Sequence, residues 1–203
     1  AYSANIKERR DCSCAVFNQA GDMINQAAHI PVHLGSMPLS VASAIEQISF
    51  EQGDMAILND PFQGGTHLPD ITMVAPVFAP GKDKPCFYVA NRAHHADVGG
   101  MTAGSMPLST SIFQEGVIVP PLKLVERGEV DQKVKALFCS NVRTPVEREG
   151  DFYAQIMANR TGIRRMEELL NKHGLDEMAY YADGLMDYAE KITRQRIAEL
   201  PDG

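Results

Sequence analysis

Two short segments constrain this fold more than any other feature, because each sets a histidine and an aspartate beside a glycine pair, and apolar runs lie between them. The first is Asn59-Asp60-Pro61-Phe62-Gln63-Gly64-Gly65-Thr66-His67-Leu68-Pro69-Asp70, and the second is Arg92-Ala93-His94-His95-Ala96-Asp97-Val98-Gly99-Gly100. Ile71 to Phe78 and Cys86 to Ala90 read as strands. The loop Ala79 to Pro85 between them holds Pro80, Gly81 and Pro85, so a hairpin is expected. An antiparallel hairpin starting just after Asp70 and ending just before His94 brings His67, Asp70 and His94 to one end of the sheet.

Those residue types in that arrangement point to a metal. Imidazole and carboxylate donors suit Zn, Mn or Fe, and a bound ion of this kind supports hydrolytic or carboxylation chemistry. Pro69 keeps His67 and Asp70 off a regular helix, so a loop after Gly64-Gly65 can turn both toward one ion. Taken alone, the pair would read as a capping Asp and a surface His. His94 and His95 point to opposite faces of an extended segment, so one of them is expected as a ligand. Asp97 is a further ligand, a general base or a group that orients an imidazole. Gly99 and Gly100 allow close backbone approach to substrate.

The rest of the chain reads as an α/β protein of the α+β type, a mixed β-sheet region with helices followed by a helical C-terminal segment. Residues 12 to 60 run strand, turn, strand, helix. Val41, Ala44, Ile45 and Ile48 share one helical face, and Met55 to Leu58 is a strand delivering Asn59 and Asp60. A metal-site region over 1–150 is expected to give way to helices over 151–203: one from about Asp151 to a cap at Gly174, the next from about Asp176 to Glu199. Leu200-Pro201-Asp202-Gly203 reads as a turn, so the helical segment is expected to continue into a larger part beyond the chain. Gly35-Ser36-Met37-Pro38-Leu39-Ser40 recurs as Gly104-Ser105-Met106-Pro107-Leu108-Ser109; Ser as cap and Pro in the first turn suit a helix entry.

Other clusters leave alternatives open. His29 and His33 flank Pro31 as an imidazole pair for metal or as buried, hydrogen-bonded histidines. Arg143, Glu147 and Asp151 bind a carboxylate or phosphate through Arg, or form a salt-bridged loop. Cys12 and Cys14 lack the second pair that a structural zinc site wants, so the four cysteines are expected as buried, reduced thiols. A net charge of -7 disfavours nucleic acid as main partner. No apolar run is long enough to span a bilayer, and the polar start Ala1 to Asp11 does not read as a signal peptide, so a cytoplasmic location is expected. Neither a P-loop nor a G-x-S-x-G elbow is present.

Long stretches resemble the hydantoinase B / 5-oxoprolinase family: Asn5 to Ser13, His29 to Pro38, Asn59 to Asp70, Ala93 to Gly100, Asn141 to Pro145, and Gly150-Asp151. The resemblance implies a subunit working in a hetero-oligomer with a hydantoinase A-type partner that binds the ATP. It implies opening of a small cyclic amide such as a hydantoin or 5-oxoproline, with a divalent metal held by His67, Asp70, His94 and Asp11. A metal-bound water would attack the partner-phosphorylated amide, with Asp97 in a catalytic role and Gly99, Gly100 and Arg143 at the substrate. Relatives that carboxylate ketones leave an ATP-dependent ketone carboxylase subunit as an alternative, and a non-catalytic scaffold as another. The family's subunits are longer, so the chain is expected to be a fragment.

Overall fold

The computed structural model describes residues 1–27, 30–104 and 106–201. Its centre is a seven-stranded sheet in the order β2-β1-β5-β4-β3-β6-β7, every neighbour antiparallel. The strands are β1 (Cys12–Asn18), β2 (Met23–Gln26), β3 (Met55–Leu58), β4 (Asp70–Phe78), β5 (Pro85–His94), β6 (Leu122–Glu126) and β7 (Glu129–Val130). The one-turn α1 (Ala4–Lys7) precedes the sheet, and α2 (Pro31–Gln47) covers one face. On the other face lie α3 (Gln132–Cys139), α4 (Pro145–His173) and α5 (Leu175–Ala198). The α+β reading holds.

Period-two alternation sorts the strand side chains between two cores. Ala15 and Phe17, Tyr88 and Ala90, Val74, and Ala56 and Leu58 meet Met37, Val41 and Ala44 of α2. The alternate residues Ile71, Met73, Ala75, Val77, Phe87 and Val89 meet Phe138, Phe152, Ile156, Met166 and Leu170. The central hairpin β4–β5 is buried along nearly its whole length, which explains its near-continuous apolar sequence.

Sequence and structure differ in instructive places. Asp70 and His94 do not flank the hairpin; they are its first cross-strand pair. Gly35 to Ser40 does not enter a helix but lies inside α2, which begins at Pro31 as its first residue. Pro38 costs that helix one hydrogen bond, and contacts of Ser36 and Ser40 beneath the helix hold it in place. In the second copy Met106 to Ser109 is irregular and no helix starts there; Ser105, like His29 and the terminal Asp202 and Gly203, lies outside the described residues. The helix expected from Asp151 begins earlier, at Pro145, so the 150/151 position falls within α4. Of the four thiols only Cys86 is buried, because Cys14 projects from the sheet face opposite its buried neighbours Ser13 and Ala15.

A buried amide network joins α4 to the hairpin. The Gln155 amide donates to the Ile71 carbonyl (2.9 Å) and to Asn91 Oδ1 (2.8 Å). Asn91 donates to the Gln155 carbonyl and to Asn159 Oδ1, and Asn159 donates to the Met73 carbonyl. With its amide hydrogens used, Gln155 offers Oε1 to His95, so His95 Nε2 carries the proton (2.8 Å). At the start of α4, Asp151 accepts from the Tyr2 and Ser3 N–H groups and pairs with buried Arg148 at 3.1 Å, tying the chain's beginning to this helix.

Candidate metal centre

Three elements deliver the site. The segment after β3 folds into a 3-10 turn, Pro61–Gln63, with Asp60 accepting from the Phe62 N–H as its cap. Asn59 laces this loop by donating to the Leu68 and Val117 carbonyls and accepting from the Val119 N–H. The loop then presents Thr66 and His67 to the first residue of β4, Asp70, while the last residue of β5 contributes His94.

Asp70 is the hub. Oδ2 lies 3.0 Å from His67 Nδ1, accepts from Thr66 Oγ1 at 3.0 Å, and has His33 Nε2 at 3.6 Å. Oδ1 lies 3.3 Å from His94 Nδ1. Burial alone would raise the Asp70 pKa, yet the His33, His67 and His94 imidazoles outweigh it and hold the carboxyl well below its usual range. The same contact holds the His67 pKa above its ordinary value, against the opposing effect of burial.

Among the described residues, His67, Asp70 and His94 are the one group of His, Cys, Asp or Glu whose donor atoms all lie within 4.8 Å of one another. Two donors about 2.1 Å from one ion, at tetrahedral or octahedral angles, stand about 3.0–3.4 Å apart. His67 Nδ1 stands 3.0 Å from Oδ2 and His94 Nδ1 3.3 Å from Oδ1, so each imidazole is at that spacing from one of the two carboxylate oxygens, and the nitrogen and oxygen donors suit Zn, Mn or Fe. Asp70 is 2% exposed at its side chain and His67 is 39% exposed, so the cluster has a buried anchor and an open side. A catalytic ion needs such an opening for water or substrate.

The other expected residues lie around this core in distinct places. Asp11 stands at the entry to β1, and its carbonyl accepts from the His94 N–H at 3.0 Å. Its charge helps to raise the His67 pKa, but its carboxylate is outside the three-residue group. Asp97 is buried, accepts from the Gly99 N–H at 3.0 Å, and pairs with Arg143 at 3.1 Å. These contacts join Asp97 to a guanidinium and a backbone N–H, not to an imidazole. Arg143 also donates to the Gly99 and Gly100 carbonyls. Both glycines have positive φ, and a Cβ would stand 2.5 Å from the Asn141 carbonyl oxygen at Gly99 and 2.6 Å from that of Gln114 at Gly100. The glycines therefore let backbones pack around the Asp97–Arg143 pair. His95 faces the opposite side of β5 from His94, against Phe138 and Phe152, where burial pushes its pKa down to about 4.

Sequence reasoning missed the buried cation of the site. Arg92 is fully buried two residues before His94; its Nε donates to Thr72 Oγ1 at 2.8 Å, its Nη2 to Ser40 Oγ at 2.7 Å, and its Nη1 to Ser36 Oγ. Ser36 in turn donates to the Val32 carbonyl and Ser40 to that of Gly64, so both hydroxyls are free to accept from the guanidinium. Burial lowers the Arg92 pKa, and the charge of Asp70 opposes that.

Comparison with known proteins places this geometry. The hydantoinase B/oxoprolinase family model matches residues 1–203. An uncharacterized protein of Methanocaldococcus jannaschii is 42% identical over 98% of this chain and 36% of its own length. The 5-oxoprolinase of Dictyostelium discoideum is 39% identical over 98% of this chain and 16% of its own. The ATP-dependent caprolactamase of Pseudomonas jessenii superposes with a TM-score of 0.87 at 34% identity, over 95% of this chain and 34% of that one. An acetone carboxylase shares the fold at a TM-score of 0.81 and 20% identity, over 90% of this chain and 24% of its own. The chain thus spans about a third or less of the length of these relatives. With the whole sequence matched by one family model, the chain belongs to the hydantoinase B/oxoprolinase family.

Proposed function

We propose that this chain is the metal-bearing part of an ATP-dependent enzyme that opens a small cyclic amide of the hydantoin or 5-oxoproline kind. The observation that carries the reading is the convergence of His67, Asp70 and His94 at one end of the central hairpin. The identities of 39% to a 5-oxoprolinase and 34% to a caprolactamase favour an amide, whereas the acetone carboxylase likeness at 20% speaks only to fold.

In this reading His67, Asp70 and His94 hold a divalent ion, with Asp11, whose backbone carbonyl meets the His94 N–H, as a fourth ligand. When bound, such an ion supplies Lewis acidity and brings the pKa of a water toward neutrality. To load it, the His67 and His94 nitrogens that face Asp70 must be bare, and because the contact with Asp70 raises the His67 pKa, loading weakens in acid. Thr66 keeps Asp70 oriented, and the Asp97–Arg143 pair fixes the Gly99–Gly100 loop. A hydantoinase A-type partner binds the ATP and phosphorylates the amide oxygen, making the ring carbon a better electrophile.

The test is elemental analysis of chelator-free protein beside His67→Ala, followed by ring-opening assays with partner and ATP. About one Zn, Mn or Fe per chain is expected in the wild type, with metal and ring opening lost together in the variant. Full activity in His67→Ala would sink the assignment. ATP turnover that depends on bicarbonate would turn the reading toward ketone carboxylation.

A further inference from the structure

Asp70 has partners beyond the three-residue cluster, and they come from elements that the cluster does not use. His33, on the first turn of α2, is 1% exposed, and Ser13, on β1, is 4% exposed. Ser13 Oγ lies 2.9 Å from His33 Nδ1, and His33 Nε2 lies 3.6 Å from Asp70 Oδ2. The carboxylate decides the tautomer. A bare Nε2 lone pair facing an anion would be repelled, so Nε2 carries the proton and Nδ1 is the acceptor. The Ser13 hydroxyl therefore donates to His33, and its oxygen receives the Ile30 N–H at 3.5 Å.

The two oxygens of Asp70 are not equivalent. The partners that are not metal donors, Thr66 and His33, both sit on Oδ2. His67 also faces Oδ2, at 3.0 Å, and His94 faces Oδ1, at 3.3 Å. Once His67 and His94 turn their facing nitrogens to an ion, they no longer donate to Asp70. Thr66 and His33 then remain to hold the carboxylate at Oδ2.

We infer that Ser13 and His33 form a positioning pair that orients the Asp70 carboxylate for the metal. The inference rests on the metal reading above. Polar groups set behind a ligand in this way characteristically change metal affinity by about 10–100-fold when removed.

The test compares the 203-residue chain with His33→Ala, His33→Gln and Ser13→Ala, using competition with a chromophoric chelator to obtain the Kd for Zn²⁺ and for Mn²⁺. Urea unfolding of each metal-free protein runs in parallel. His33→Ala should weaken binding by about 10–100-fold. His33→Gln, which keeps an N–H donor toward Asp70, should restore most of the affinity. Ser13→Ala, which deletes a single oxygen, should fall between them whether or not His33→Ala folds. Affinities that fall only in step with metal-free stability, with no rescue by Gln, would overturn the inference and leave a packing role. An unchanged Kd in His33→Ala and Ser13→Ala, with binding lost in His67→Ala, would overturn it and leave the metal reading intact. A wild type that binds neither ion would overturn both.

Discussion

Arg92 shows how much of the site is built from single buried groups. A guanidinium with no exposure is held by three hydroxyls on two elements, and its planar fork is what reaches all three. Lysine's three N–H groups radiate from one nitrogen and do not reproduce the spread fork whose separate nitrogens meet Ser36, Ser40 and Thr72. Arg92→Lys should therefore lose about 1–3 kcal/mol of unfolding free energy, measured by urea denaturation. An unchanged midpoint and slope would refute that. Histidines and aspartates were legible in the sequence because those types next to double glycines are unusual. Arg92 was not, since one arginine in a strand carries no pattern. Ser36, between Gly35 and Pro38, reads as a helix cap; only tertiary contact shows it and Ser40 facing the cation. The turn at Asp97 has a readable signal: an aspartate two residues before a glycine is a common side-chain-to-backbone turn.

At the scale of elements, α4 and the hairpin are joined by polar groups where an apolar seam would be expected. Gln155, Asn91 and Asn159 satisfy one another and the β4 carbonyls, and His95 closes the network in its neutral form. This has a pH consequence. The folded pKa of His95, about 4, lies below its ordinary 6.5, so the unfolded chain takes up the proton first as pH falls. The contribution of His95 is intact above pH 6.5 and declines between about 6.5 and 4, by about 1.4 kcal/mol per pH unit. Subtracting the stability profile of His95→Asn from that of the wild type, by denaturant unfolding at pH 7, 6 and 5, should reveal this slope; a flat difference would contradict the assignment. The hairpin itself was legible from its Pro- and Gly-rich loop and apolar flanks. Its length was not, because Arg92 and His94 interrupt the apolar pattern while remaining in register.

For the whole molecule, the two sheet faces have separate cores, and among the described residues no helix is long and apolar enough to cross a membrane. The proposed ion sits between parts far apart in sequence: the β3–β4 loop, β4, β5 and, through His33, α2. An ion that binds only this folded arrangement stabilises all of them by RT ln(1 + [L]/Kd), about 4 kcal/mol at a thousandfold excess over Kd. Chelation should then lower Tm by about 2–4 °C for each kcal/mol lost, read by calorimetry with and without EDTA. His67→Ala should show no such difference.

The first rung of the hairpin carries a risk for the folding chain. A slide of two residues keeps every side chain on its own face, so the apolar pattern barely opposes it. That slide would set Asp70 opposite Arg92, an opposite-charge pair worth about 0.2–1 kcal/mol to the misaligned register. The correct alignment instead gives Arg92 to the hydroxyls of α2 and Asp70 to the histidines, and an ion recognises only the second of these arrangements. The metal would thus act as a proofreader, favouring the chains whose strands have met in step.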